Sequence, residues 1–254
     1  MEIIFRVDAS YLIGSGHVSR CLVLAKQLGK YKKKITFITR SHPGNLDLLI
    51  KKNGFKVKSL NKIVKKDSDG FDPWLNSNQE EDYLETMKYF ASNVPEWLIV
   101  DHYSLDIKWE QKIRKYVKNI MVIDDLANRK HDCDVLLDHN WFEEKELRYN
   151  DLIPRTSIRL LGLEYLLIKD SFKKNKIKKI KSKSISRVFV FFGGSDQFNL
   201  TGMVLNAFNS EKLKHIQLDI VVGENNSNLI PLKKLVDDRK LTNLFVNIDN
   251  IVFL

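Results

Sequence analysis

Met1-Glu2-Ile3-Ile4-Phe5-Arg6-Val7-Asp8 runs on to Ile13-Gly14-Ser15-Gly16-His17, and a stripe of Cys21, Leu22, Leu24, Ala25 and Leu28 follows. The apolar run reads as a buried strand, the glycines as a tight turn, and the stripe as one face of a helix. In that order they open a strand-helix-strand unit, whose crossover is nearly always right-handed. The backbone of such a turn can approach a bound group closely, and the helix N-terminus offers unpaired N–H groups to an anion. Ser19 stands where a dinucleotide fingerprint has its third glycine. The turn alone therefore does not specify a dinucleotide.

Working outward, apolar runs keep alternating with amphipathic segments, the pattern of a parallel sheet covered by helices. Strands are predicted at 3–7, 35–39, 56–59, 97–100, 120–123, 135–137 and 158–161. Helices are predicted at 17–28, 46–52, 79–92 and 108–117. After a lysine-rich stretch the pattern restarts, with strands at 187–192, 217–222 and from 244, and helices at 200–208 and 229–236. The expected division is a Rossmann-like domain over 1–172, a linker over 173–186 and a second domain over 187–254. The second is short for an open parallel sheet, and small domains bury little surface. It is expected to be an incomplete domain; the plain alternative is a small accessory lobe.

The 254 residues are 43% hydrophobic and 29% charged, ordinary values for a globular chain. No apolar run reaches the roughly 20 residues of a membrane span, and the N-terminus lacks the basic and apolar regions of a signal peptide. A cytoplasmic chain with no membrane contact is expected. Two cysteines, Cys21 and Cys133, make a disulfide framework unexpected, and each reads as a small buried hydrophobe. Much of the net charge of +10 sits in the stretch 173–183, which has no interleaved aromatics to stack on bases. That reads as a solvated linker, not a nucleic-acid site.

Four polar clusters follow strand ends. An imidazole at the mouth of the first turn, His17, can take a proton from water near neutral pH. Asp8, ending the first strand, is expected to orient that base or the substrate; the plain alternative is a turn former beside a helix-terminal histidine. Asp101-His102-Tyr103 suits polar recognition of a sugar, or is simply a turn. Asp124-Asp125 offers hydroxyl binding or capping and only a weak magnesium signal, because adjacent side chains diverge. Asp138-His139-Asn140 ends a further strand. In the second half Gly193-Gly194-Ser195-Asp196 can receive a phosphate or form an ordinary turn, and it lacks the lysine of a P-loop.

Together these residues resemble the UDP-2,4-diacetamido-2,4,6-trideoxy-β-L-altropyranose hydrolases of pseudaminic acid biosynthesis. The match runs through Arg6-Val7-Asp8, Ile13-Gly14-Ser15-Gly16-His17 and Arg20, then Asp101-His102-Tyr103, and Asp124-Asp125-Leu126-Ala127-Asn128-Arg129. It continues in His131-Asp132-Cys133-Asp134, Leu136-Leu137-Asp138-His139-Asn140, Arg148-Tyr149 and Gly193-Gly194-Ser195-Asp196. The resemblance implies a GT-B-like α/β fold of two Rossmann-like domains with parallel sheets facing a cleft. It implies cleavage of the anomeric C–O bond of a UDP-sugar by water, with inversion. His17 would activate the water, with no metal and no cofactor. Asp8, Gly14, Gly16, Arg20, Tyr103 and Asn140 would surround the sugar, and Gly193, Gly194 and Ser195 would face the diphosphate. A monomer acting on a small-molecule substrate is implied. Family members carry a further uridine-binding segment, so the chain is expected to be a fragment or an interrupted product. A glycosyltransferase using a sugar acceptor and an inactive remnant stay open as alternatives.

Overall fold

In the computed structural model, residues 2–31, 33–61, 70–90, 94–174, 184–224 and 226–248 are described. The chain forms two compact units, Met1–Ile168 and Lys169–Leu254. The first contains β1 (Glu2–Val7), α1 (Gly16–Gly29), β2 (Lys34–Arg40), α2 (Asp47–Lys52), β3 (Lys56–Leu60), α3 (Gln79–Met87) and β4 (Trp97–Asp101). It goes on with α4 (Ile107–Ile113), β5 (Asn119–Ile123), β6 (Val135–Asp138) and β7 (Ile158–Leu161). The second contains α5 (Asp170–Lys174), β8 (Arg187–Val190), α6 (Leu200–Phe208), β9 (Gln217–Val222), α7 (Leu229–Asp237) and β10 (Thr242–Val246). The lysine-rich stretch expected to be a linker lies, from residue 175 to 183, outside the described residues.

All pairings in the first sheet are parallel, in the order β3-β2-β1-β4-β5-β6-β7. A parallel sheet is buried on both faces, which is why its strands read as nearly continuous apolar runs. Alternate residues serve opposite faces. Ile3, Phe5, Ile35, Phe37, Ile99 and Ile123 pack on Val18, Cys21, Leu22 and Ala25 of α1 and Ile50 of α2. Ile4, Ile38, Leu98, Val100, Ile120 and Val122 pack on Trp109 and Ile113 of α4 and on Phe90. The second unit has a three-stranded parallel sheet, β10-β9-β8, packed on α6 and α7 through Val190, Leu205, Leu218, Ile220, Val222 and Leu232.

Three predicted elements are shorter than expected by more than one residue. The helix predicted at 79–92 is capped by Asn78 and Glu81 but ends at Met87, where a turn tucks Phe90 into the core. Its last part, 91–92, lies outside the described residues. The helix predicted at 108–117 gives way after Ile113 to one 3₁₀ turn, Arg114–Tyr116. The strand predicted at 187–192 stops at Val190, because Gly193 takes a φ of +83° and turns the chain. Gly194 then accepts the N–H of Gly223 at 3.0 Å, an approach at which a Cβ on Gly223 would lie 2.6 Å from the Gly194 oxygen. Only glycine fits there.

Arg6 shares the β1 face of Ile4, and this buries a guanidinium. Asp82 of α3 receives it through both carboxylate oxygens, at 3.1 and 2.5 Å, and also accepts from Arg40 at 2.8 Å and from the Trp109 indole at 3.1 Å. Arg40 reaches on to Glu85 at 2.6 Å. Burial opposes ionisation of Asp82, but the two guanidiniums outweigh it and hold its carboxyl below the usual range.

Asp82→Ala takes the shared carboxylate from two buried guanidiniums, leaving Arg6 only Asp8 and Arg40 only Glu85 as acidic partners, and is expected to cost about 3–5 kcal/mol in denaturant unfolding at neutral pH. A loss under about 1 kcal/mol would mean that the network does not bind α3 to the sheet. Because the folded carboxyls of Asp8 and Asp82 are depressed, their stabilisation is complete above the unfolded value of about 4 and falls away below it. The urea midpoint is thus expected to drop as pH falls below about 4. Cys21 and Cys133 are core residues whose thiols burial pushes up, that of Cys133 to about 12. Native protein at pH 8 should leave a thiol reagent unreacted, and denatured protein should titrate both cysteines; fast native labelling would contradict their burial.

Candidate active site

The strand order reverses between β1 and β4: the chain steps outward from β1 to β3, then returns to place β4 on the other side of β1. In open α/β sheets such a reversal leaves a crevice at the carboxyl ends of the strands, where ligands bind. Val7 pairs in register with Asp101, so the two strands end side by side. Beyond Val7 the loop folds on Ser10, whose hydroxyl accepts the N–H groups of Leu12 and Ile13 while its carbonyl accepts that of Gly14. Gly14 has a φ of +81°, which favours glycine there. Helix α1 then starts at Gly16. Its N-terminus carries no side-chain cap from Ser15 and no acidic residue in the first turn.

His17 sits in that first turn, 7% exposed. Its Nδ1 lies 2.6 Å from Asp101 Oδ1. Asp101 also takes a fork from Arg20, with Nε and Nη2 each donating at 2.7 Å to its two oxygens. A buried carboxylate held by the Arg20 guanidinium accepts only, so in the neutral imidazole the His17 proton belongs on Nδ1, toward Asp101, and the lone pair on Nε2. Burial works against the Asp101 charge, but His17 and Arg20 hold its carboxyl well below the usual carboxylate range. Arg20 continues from Nη1 to Asp125 Oδ2 at 2.8 Å, and the Tyr103 hydroxyl donates to Asp125 Oδ1 at 2.6 Å. Burial, with that bond to a carboxylate, pushes the Tyr103 phenol up, so it stays protonated. The ring of Tyr103 stands edge-on to the imidazole, with centroids 4.5 Å apart. One continuous network, His17–Asp101–Arg20–Asp125–Tyr103, therefore spans α1, β4 and the end of β5.

Asp8 does not orient His17, the first of the two roles expected of it. It is wholly buried, accepts from Arg6 and from the Arg40 N–H at 2.6 Å each, and has the Nε2 atoms of His102 and His42 at 3.2 and 3.5 Å. The carboxylate on His17 is that of Asp101, because the side chain of Asp8 joins the Arg6 network. His102 Nδ1 accepts the Ser104 N–H at 3.1 Å, which puts the imidazole proton on Nε2, toward Asp8. Asp124 and Asp125 diverge as adjacent residues must. Asp124 caps Ala127 and pairs with Arg129 at 2.7 Å, while Asp125 belongs to the site network. Among the described residues no group of three or more His, Cys, Asp or Glu side chains is arranged to hold a metal ion.

Asn140 follows β6 on the same edge of the sheet, its N–H donating to Asp138 Oδ1 at 3.0 Å. Tyr149 places its hydroxyl 2.9 Å from the Asp124 carbonyl and 3.0 Å from Asp138 Oδ2, tying the ends of β5 and β6 together. Gly193, Gly194 and Ser195 form the turn after β8 in the second unit. The helix terminus behind that turn is already occupied: Asp196 accepts the N–H groups of Leu200 and Thr201 at 2.9 Å each. The end of α6 is therefore capped from within the chain. Sequence reading did not single out the pairing of Asp101 with His17, nor Trp74, whose ring lies 5.4 Å from that of Tyr103.

The chain matches no protein-family model. Over 99% of its length it is 28% identical to the UDP-2,4-diacetamido-2,4,6-trideoxy-beta-L-altropyranose hydrolase of Campylobacter jejuni, of which it covers 80%. It is 27% identical to an uncharacterized protein of Methanocaldococcus jannaschii, spanning about half (49%) of that protein's length. Among solved structures it is similar to UDP-GlcNAc 2-epimerase from Neisseria meningitidis bound to UDP-GlcNAc, with a TM-score of 0.52 at 11% identity over 100% of this chain and 74% of the epimerase. A glycosyltransferase from Rickettsia africae gives 0.53 at 15% identity, over 98% of this chain and 69% of the other. The fold is thus α/β and GT-B-like, and the chain is a distant relative of the hydrolase along nearly its whole length.

Proposed function

We propose that this chain hydrolyses a UDP-linked 2,4-diacetamido-2,4,6-trideoxy sugar to UDP and the free sugar, the step that its resemblance places in pseudaminic acid biosynthesis. The observation that carries this reading is the His17–Asp101 pair at 2.6 Å, set where the strand order reverses. An imidazole with Nδ1–H held by a buried carboxylate presents Nε2 as a base. A water on Nε2 gives up its proton as its oxygen attacks the anomeric carbon. The anomeric C–O bond breaks on the opposite face, and UDP leaves with the electron pair. Configuration at that carbon inverts. The protonated His17 is stabilised by Asp101, which Arg20 holds in place through both oxygens.

The remaining roles follow from position. The uncapped N-terminus of α1, at Gly14–Gly16, is assigned to negative charge on the substrate. Tyr103, kept protonated by Asp125, presents its ring beside His17, and Asn140 stands on the same sheet edge. Gly193, Gly194 and Ser195 are assigned to the diphosphate through the turn after β8.

Incubation of the chain with the UDP-sugar and no acceptor is expected to release free sugar; a glycosyltransferase would leave the substrate intact until an acceptor is added. His17→Ala should slow release by about 100- to 10,000-fold. Asp101→Asn should slow it by a similar factor with the fold intact, because the amide no longer holds the imidazole in one tautomer. An unchanged rate in His17→Ala would remove the base assignment, and an unchanged rate in Asp101→Asn would reduce the pair to a structural contact.

A further inference from the structure

Trp74 belongs to neither apolar cluster of the first unit, although its neighbour Leu75 is wholly buried in one of them. Its ring packs instead on two residues of the site. The indole lies 6.5 Å from the His17 imidazole, nearly perpendicular at 84°, and 5.4 Å from the Tyr103 ring, tilted by 31°. This placement is built into the loop. Asp72 Oδ1 accepts the N–H of Trp74 at 2.7 Å, that of Leu75 at 3.1 Å, and the hydroxyl of Ser104 at 2.8 Å. One carboxylate thereby holds both the loop that carries Trp74 and the turn that carries Tyr103.

We propose that Trp74 is a specificity-determining residue: its indole packs against the apolar C–H face of the sugar and favours a ring whose C6 is a methyl group. This rests on reading the site as a UDP-sugar hydrolase. A pyranose presents a face of C–H bonds, and an aromatic face carries the negative end of its quadrupole toward them. A methyl at C6 extends that apolar contact. A hydroxymethyl at the same place puts a hydroxyl against carbon, away from water and without a partner, which costs free energy. One such difference in an apolar contact discriminates by about 10- to 200-fold, a scale suited to a wall of two rings beside the base.

The test compares wild type, Trp74→Ala and Trp74→Phe as full chains on the UDP-linked 2,4-diacetamido-2,4,6-trideoxy sugar and on its analogue that differs only in carrying a 6-hydroxyl. Trp74→Ala is expected to raise KM for the deoxy sugar about tenfold or more, by a larger factor than kcat falls, and to narrow the preference over the 6-hydroxyl analogue. Trp74→Phe should restore most of that preference. A folded Trp74→Ala protein with unchanged KM and unchanged preference would overturn the proposal, as would a loss confined to kcat, which would make Trp74 a positioning residue for His17. If wild type releases sugar from neither compound, the hydrolase reading fails on its own. Calorimetric binding of the two compounds to wild type and Trp74→Ala then decides the role of Trp74: a lost preference supports it, and an equal preference or no binding by wild type overturns it.

Discussion

A carboxylate with no access to water must find its compensation inside the protein, and in this chain that demand falls on Asp101. It is wholly buried at the end of β4 and takes His17, both arms of the Arg20 fork and the Cys21 thiol, the last at 3.4 Å. Each partner comes from the first two turns of α1. An unpaired buried charge would cost several kcal/mol, so α1 can start only where its first turn meets the end of β4. That in turn requires β4 to lie beside β1, the strand that feeds α1. The reversal of strand order and the histidine–carboxylate pair are thus one constraint seen at two scales.

A second buried ion network stands apart from the first and does different work. Arg6, Arg40 and Asp82 bind α3 to the sheet, and Asp8 is held within that network by Arg6 and the Arg40 N–H. Burial alone would neutralise Asp8, yet Arg6 and the neighbouring histidines keep its carboxyl well below the usual range. The two networks divide the polar residues at the strand ends into a set that fastens the fold and a set that faces the proposed chemistry. His17, Arg20, Tyr103 and Asp125 form the second set. The half-buried ring of Tyr103 adds an aromatic face to this set.

The fold was legible because a parallel sheet buried on both faces writes its strands as apolar runs. The run 97–100, the turn 14–16 and the stripe from Cys21 to Leu28 needed no tertiary information. Pairing order is different, since no local pattern says that β4 returns to the far side of β1. Without it, the acid nearest in sequence, Asp8, was the natural partner for His17, and the true partner 84 residues away stayed hidden in Asp101-His102-Tyr103. A doubly wound sheet with right-handed crossovers would have placed β4 there, and that was the available signal. Trp74 had none: it lies in an irregular loop where periodicity is silent, held by an Asx turn on Asp72. Likewise Asp196 looked like part of a phosphate turn, and only its bonds to Leu200 and Thr201 reveal a cap.

In the proposed reaction His17 and Asp101 together act as a base for water, and the bond that water attacks identifies the chemistry. The most direct measurement is hydrolysis of the UDP-sugar in ¹⁸O-enriched water, with the label located by mass spectrometry and the first-formed anomer read by NMR. Attack at carbon predicts ¹⁸O on the anomeric hydroxyl of the sugar, none in UDP, and a product of inverted configuration. Label in the phosphate of UDP, or a product of retained configuration, would contradict a water delivered to the anomeric carbon by His17.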